Sequence, residues 1–322
     1  TPRPSYTVTK PTTSTTSSES VMSVASGPAQ QVPILNLPIE IIQQITTFLD
    51  HPSAASFCLS TRYICYAVGT QPLATYLGSG KTIYEKRKNI EVLERAFPSH
   101  WYCAWCDRFH KHDKNGGPRN FDKETQRDCA EYNSYLHDGH DYVLTYHHVR
   151  LALNRHLWGS DFGIGLEDFA YYKEGSTKIY GKKVPMTLEV EAKIVDGHFL
   201  LHSTFTVVAN GRAGKSSAIF KGGSFDIPQI VLGHRDSNDG HTGLASTVNK
   251  ILSTDWRQIQ DSLALCNNTQ LCSFCATDYL ITPRLIESGP SNHTPGIEIR
   301  IETWRDLYEG RNPFQSSWRA HG

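Results

Sequence analysis

No stretch of this 322-residue chain holds about 18 apolar residues in a row, so none reads as a transmembrane helix. The chain also lacks net charge, because 32 Lys and Arg balance 32 Asp and Glu. That balance argues against a nucleic-acid partner, since phosphate affinity comes mostly from clustered basic residues. Residues 1–33 lack the apolar centre of a secretory signal. The eight cysteines, at 58, 65, 103, 106, 129, 266, 272 and 275, are not spaced like the framework of a small secreted domain. Reduced thiols in a cytoplasmic or nuclear protein are expected, where the glycosylation sequons at Asn267 and Asn292 have no role.

Complete catalytic signatures are missing as well. GSGKT at 78–82 and RAGKSS at 212–217 echo a phosphate-binding loop, but its first glycine is replaced by Thr75 and Ala209. Without that glycine the backbone amides cannot wrap a phosphate. HRD at 234–236 echoes a kinase catalytic loop, yet His241 stands where the metal-binding Asn would be. There is no G-x-S-x-G elbow, and no pair of carboxylates that one cleft would hold.

What is present changes texture along the chain. Residues 1–33 are rich in Ser, Thr and Pro and poor in large apolar groups, so a disordered tail is expected. From ILNLPIEIIQQITTFLDHP onward, Ile41, Ile42, Ile45, Phe48 and Leu49 recur at helical spacing. Pro38 suits a first helical turn, Glu40 suits the positive helix start, and Asp50-His51-Pro52 ends the helix. PSAASFCLSTRYICYAVG reads as a second helix, with Ala55, Leu59 and Tyr63 on one face and Cys58 and Cys65 buried. KTIYEKRKNIEVLERAF reads as a third, with Ile83, Ile90, Leu93 and Phe97 inward and Lys86, Arg87 and Lys88 on a solvated face.

Beyond residue 99 the pattern is α+β. Leu188, Val190, Ala192 and Ile194 alternate, Asp196-Gly197 signals a tight turn, and Leu201, Ser203, Phe205 and Val207 continue on a second strand. Ile297, Ile299 and Ile301 alternate with Glu298, Arg300 and Glu302, and DWRQIQDSLALC reads as a helix. The expected organisation is a tail over 1–33, a helical module over 34–76, a linker helix over 77–98, and an α+β domain with antiparallel sheet over 99–322.

LPIEIIQQITTFLDHPSAASFCLSTRYICYAV resembles the F-box: Leu-Pro, an acidic residue, spaced Ile, Phe-Leu near the helix end, then a second helix. The resemblance covers about residues 35–75. It implies that Leu37, Pro38, Ile41, Ile42, Ile45, Phe48, Leu49 and Leu59 dock the Skp adaptor of a Skp–cullin–F-box ubiquitin ligase. CAWC with His110, RDC ending at Cys129, CSFCATDY and ETWRDLYEGRNPFQSSW resemble the C-terminal region of fungal F-box proteins. That family often has a Cys-Pro-His element before its last cysteine pair; here VLGHRD offers His234. The resemblance implies a substrate receptor that binds an unknown target protein and performs no chemistry itself, ubiquitin transfer belonging to its partners. Two rivals stand beside it: a zinc-stabilised binding or regulatory protein acting without a ligase, and a thiol oxidoreductase.

Two Cys-x-x-Cys pairs carry the remaining chemistry. Each spacing lets two thiolates reach one ion from a tight turn, and four sulfurs complete a tetrahedral shell. One structural zinc on Cys103, Cys106, Cys272 and Cys275 is the favoured expectation. The alternatives are a local shell of Cys103, Cys106, His110 and Cys129, a two-ion arrangement that adds His234 and Cys266 to the second pair, buried thiols without an ion, and a redox pair. His112, His147 and His148 are read as solvated or structural.

Overall fold

The computed structural model describes residues 32–113, 115–121, 129, 135–179, 181–210, 226–234, 237–253, 268–286, 296–310 and 313–321. Residues 1–31 of the expected tail, RAGKSS, the helix read in DWRQIQDSLALC, and Cys266 lie outside these residues.

The helical module comprises α1 (Ile39–Thr47), α2 (His51–Ser60), α3 (Arg62–Val68) and α4 (Gln71–Gly78). Pro38 is not inside the first turn but caps it in an extended conformation, with φ −54° and ψ 147°. Asp50 begins a helix as well as ending one, because its side chain accepts from the Ser53 amide at 3.1 Å. The single second helix read from the sequence is broken at Thr61. That residue is extended, and its hydroxyl accepts from the Ile64 amide at 3.1 Å, capping α3.

The break lets α3 fold back onto α1. Ile42, Ile64 and Ala67 form a small core, flanked by Leu35, Leu37, Ile39, Phe57, Tyr63 and Val68. Ile42, expected on the docking surface, is fully buried in this core. Helical periodicity identifies an apolar stripe but not which part of it the neighbouring helix covers. Cys58 is buried as expected and its thiol reaches the Gly69 carbonyl at 3.1 Å, while Cys65 is only half-buried.

The linker holds α5 (Ile83–Glu91) and a tight 3-10 turn over Val92–Ala96. The amides of Lys81 and Thr82, in the phosphate-loop lookalike, donate to Glu85 Oε2 at 2.7 and 3.1 Å. A carboxylate of the chain thus takes the place an anion would need. Glu94 then ties the linker to the α+β domain. Its buried carboxylate accepts from Arg150 Nε at 2.9 Å, Arg150 Nη2 at 2.7 Å, Asn154 at 3.2 Å and the Tyr102 amide at 2.6 Å.

The domain is α+β. A short hairpin of β1 (His100–Cys103) and β2 (Arg108–Lys111) opens it, and β3 (Tyr135–Asp138) and β4 (Tyr142–Thr145) form a second. The main sheet is antiparallel: β5 (Tyr171–Ile179), β6 (Lys182–Val195), β7 (His198–Asn210), β8 (Gln270–Leu271), β9 (Thr277–Ile286) and β10 (Gly296–Asp306). Its spatial order is β5-β6-β7-β10-β9-β8. The β6–β7 register pairs Val195 with His198 around Asp196 and Gly197, both at positive φ, as the Asp-Gly turn predicts. Leu188, Val190, Leu201, Phe205, Ile299 and Ile301 point to one buried face.

That face is covered by α6 (Tyr146–Trp158), α7 (Gln229–Leu232), α8 (Leu244–Ser253) and the short C-terminal α9 (Ser316–Arg319). In α6, residues Tyr146–Asn154 are all buried, polar ones included. His147 and His148 are structural: His148 completes a capping box with Thr145, and His147 stacks on Trp101 with centroids 4.9 Å apart. No helix among the described residues is long and apolar enough to cross a membrane.

Candidate metal centres

The two Cys-x-x-Cys pairs do not share one shell. Cys103, Cys106, His110 and Cys129 form one group and His234, His241, Cys272 and Cys275 another; within each, the ligand atoms lie within 4.8 Å of one another. The favoured four-thiolate assignment is therefore replaced by two clusters. The reason is topological: each pair sits in its own turn, and each turn finds its partners nearby.

In the first cluster, β1 delivers Cys103 and the chain turns through Ala104-Trp105 to Cys106. Asp107 lies in the left-handed region at φ 51°, and its carboxylate accepts from Tyr102 Oη at 2.6 Å, which turns the chain back into β2. His110 on β2 pairs with Trp101 in register, and the two rings lie 5.1 Å apart. Cys106 Sγ is 3.4 Å from Cys103 Sγ and 3.2 Å from His110 Nε2, and Cys129 Sγ is 3.4 Å from the same nitrogen. Trp105 packs edge-on against Phe314 at 4.4 Å, which fastens this turn to the closing segment.

The second cluster is assembled by glycine. Gly233, at φ +70°, ends α7 and lets His234 follow at φ 43°. A Cβ at Gly233 would lie 2.4 Å from the His241 ring, and one at Gly240 (φ +64°) would lie 2.2 Å from the Leu232 carbonyl oxygen. Only glycine lets the loop close so tightly around that ring. Between β8 and β9, the Cys272 amide donates to the Thr277 carbonyl at 2.9 Å, forming the second cysteine turn. His234 Nε2 is 3.1 Å from Cys272 Sγ and 3.5 Å from Cys275 Sγ, and His241 Nδ1 is 3.6 Å from Cys275 Sγ.

Sequence reasoning missed His241. The signal was the repeated Gly-His in GHRDSNDGH, which brackets a loop with two candidate ligands.

Electrostatics differ within each pair. Burial opposes ionisation of Cys103, but hydrogen bonding to His110 and to the Cys106 and Trp105 amides outweighs it and draws the thiol down to about 7. Burial and the neighbouring Cys103 and Cys129 thiols push Cys106 up. Cys272 goes down to about 6: burial is overcome by the Thr242 amide, His234 and the Phe274 and Cys275 amides. Cys275 is pushed up to about 12, chiefly by burial. Burial and the Arg305 charge keep His241 neutral.

A tetrahedral ion with sulfur at about 2.3 Å and nitrogen at about 2.0 Å has ligand–ligand edges of about 3.3–3.8 Å. The contacts of 3.1–3.6 Å quoted above come within a few tenths of that spacing. Both clusters thus have the donor types and spacing to hold a metal ion. No family model, curated protein or solved structure matches this chain.

Proposed function

We propose that this chain is the substrate-receptor subunit of a Skp–cullin–F-box ubiquitin ligase. The observation that supports this reading is the uncovered apolar surface of the helical module. Phe48 and Tyr66 are each 81% exposed and Ile41 is 41% exposed. Fully burying such a side chain contributes about 1.5–3 kcal/mol, so a partner that covers all three gains substantially. The sequence around Ile41 and Phe48 is the part that resembles the F-box, where the Skp adaptor docks. Ubiquitin transfer then belongs to the partners, and this chain brings the target.

Target recognition falls to the solvent-facing side of the main sheet. Trp304 stacks on His202 there, with centroids 5.3 Å apart, beside a groove of about 540 Å³ bordered by Glu191, Lys193 and Asp278. The two clusters each hold one zinc ion. Zinc takes thiolate and imidazole together without a redox change, and its binding supplies about 10–16 kcal/mol to folding in small metal-dependent units.

Co-precipitation with the Skp adaptor tests the ligase reading. The wild-type chain should retain the adaptor, and Phe48→Glu with Ile41→Glu should lose it while the circular dichroism spectrum is unchanged. Equal retention by the folded double variant, or none by the wild type, would reject this reading in favour of a zinc-stabilised binding protein that works without a ligase.

A further inference from the structure

We infer that the second cluster holds its ion through three side chains, Cys272, Cys275 and His234, and leaves a fourth position for a small exogenous donor such as water or an anion. This rests on the zinc reading above and departs from the four-ligand shell that proximity alone suggests.

Arg305 sets which nitrogen of His241 carries the proton. Its guanidinium is 1% exposed, on the inner face of β10, and Nη2 lies 2.9 Å from His241 Nε2. A guanidinium only donates hydrogen bonds. Nε2 must therefore be the accepting nitrogen, and in a neutral imidazole the proton then sits on Nδ1. Nδ1 is the nitrogen that faces the cluster, 3.6 Å from Cys275 Sγ. An N–H there donates to the sulfur and has no lone pair to give an ion. A metal-bound histidine has the reverse arrangement, with its outer nitrogen donating to a carboxylate or carbonyl.

The arrangement is held from both sides. Arg305 Nη2 also donates to the Val231 carbonyl at 3.4 Å, and the His241 ring is wedged against Gly233. His241 thus carries the influence of a buried cation to Cys275, rather than closing the shell.

His234 is placed differently. Its Nε2 lies within 3.5 Å of both sulfurs, and it is half-buried beside Phe274, which is 71% exposed. Solvent therefore reaches the cluster along its His234 and Phe274 edge, while His241 closes the buried side. The first cluster has no such conflict: among the described residues no cationic side chain contacts His110, and three sulfurs complete its set. Three protein ligands with one open position is the coordination of an ion that receives a ligand, whereas four is that of a closed structural ion.

Metal content and the visible spectrum of cobalt-substituted full-length protein test this. Two ions per chain are expected in the wild type. His241→Gln should keep two, whereas His234→Gln and Cys272→Ser should each keep one. Adding azide to the cobalt protein should shift its visible bands, and the shift should vanish in Cys272→Ser. His241→Gln falling to one ion with its fold intact would overturn the proposal, and so would a wild-type spectrum that azide leaves unchanged. The azide titration decides the matter without a variant should His241→Gln fail to fold. A wild type that carries no metal rejects the zinc reading itself, while two ions with His241 indispensable reject only this inference.

Discussion

Replacing Glu94 by Gln removes one charge from the junction between the helical region and the α+β domain while keeping the shape of the side chain. The carboxylate is 1% exposed and accepts four hydrogen bonds, two of them from Arg150. Arg150 is itself nearly buried, so the variant leaves a guanidinium facing an amide, part of which is also a donor. Breaking one partner of a buried ion pair costs about 3–5 kcal/mol. Two contacts soften this: Glu91 lies 3.6 Å from Arg150 Nη2, and the Gly310 carbonyl lies 3.4 Å from Nη1. The expected loss is therefore near the lower end, about 3 kcal/mol, read as a shift of the urea midpoint at constant slope. The double variant Glu94→Leu with Arg150→Met should be closer to wild type, because both buried charges then disappear together. A loss under about 1 kcal/mol for Glu94→Gln would refute the reasoning, since it would mean that the carboxylate does not hold the linker against α6.

Two further outcomes are expected. Ile42→Asp places an unpaired charge in the core of the helical module, which costs several kcal/mol, so it should melt that module; Phe48→Asp, on the exposed face, should leave thermal stability within about 0.5 kcal/mol. Equal melting of both variants would refute the assignment of buried and exposed faces. Asp306, hydrogen-bonded to His198 at 2.9 Å, raises the histidine pKa above its usual 6.5. The pair's contribution is then fully present below about pH 6.5 and is lost as pH rises through the raised value. Both groups are substantially solvated, so the effect should stay under about 1 kcal/mol, and Asp306→Asn should lower the His198 titration midpoint seen by NMR. An unchanged midpoint would refute it.

The sequence by itself determined what repeats locally. Alternation placed Leu188, Val190, Phe205, Ile299 and Ile301 on one buried face, and Asp196-Gly197 marked the hairpin, because side-chain direction in a strand depends only on residue parity. The Cys-x-x-Cys spacing likewise marked two turns able to present paired sulfurs. The tertiary structure decided which groups complete each set. Whether Cys103 meets Cys272 or Cys129 depends on how distant turns pack, and chain length alone barely penalises either closure. It also decided that Ile42 is core while Phe48 is exposed, since that depends on where Thr61 lets α3 fold back. His241 and Arg305 belong to the same class: 64 residues separate them, and only the packing of β10 beneath the Gly233–Gly243 loop brings the guanidinium to the imidazole. An α+β fold with paired thiols is written in short-range pattern, but the ligand set of each cluster is a property of long-range contact.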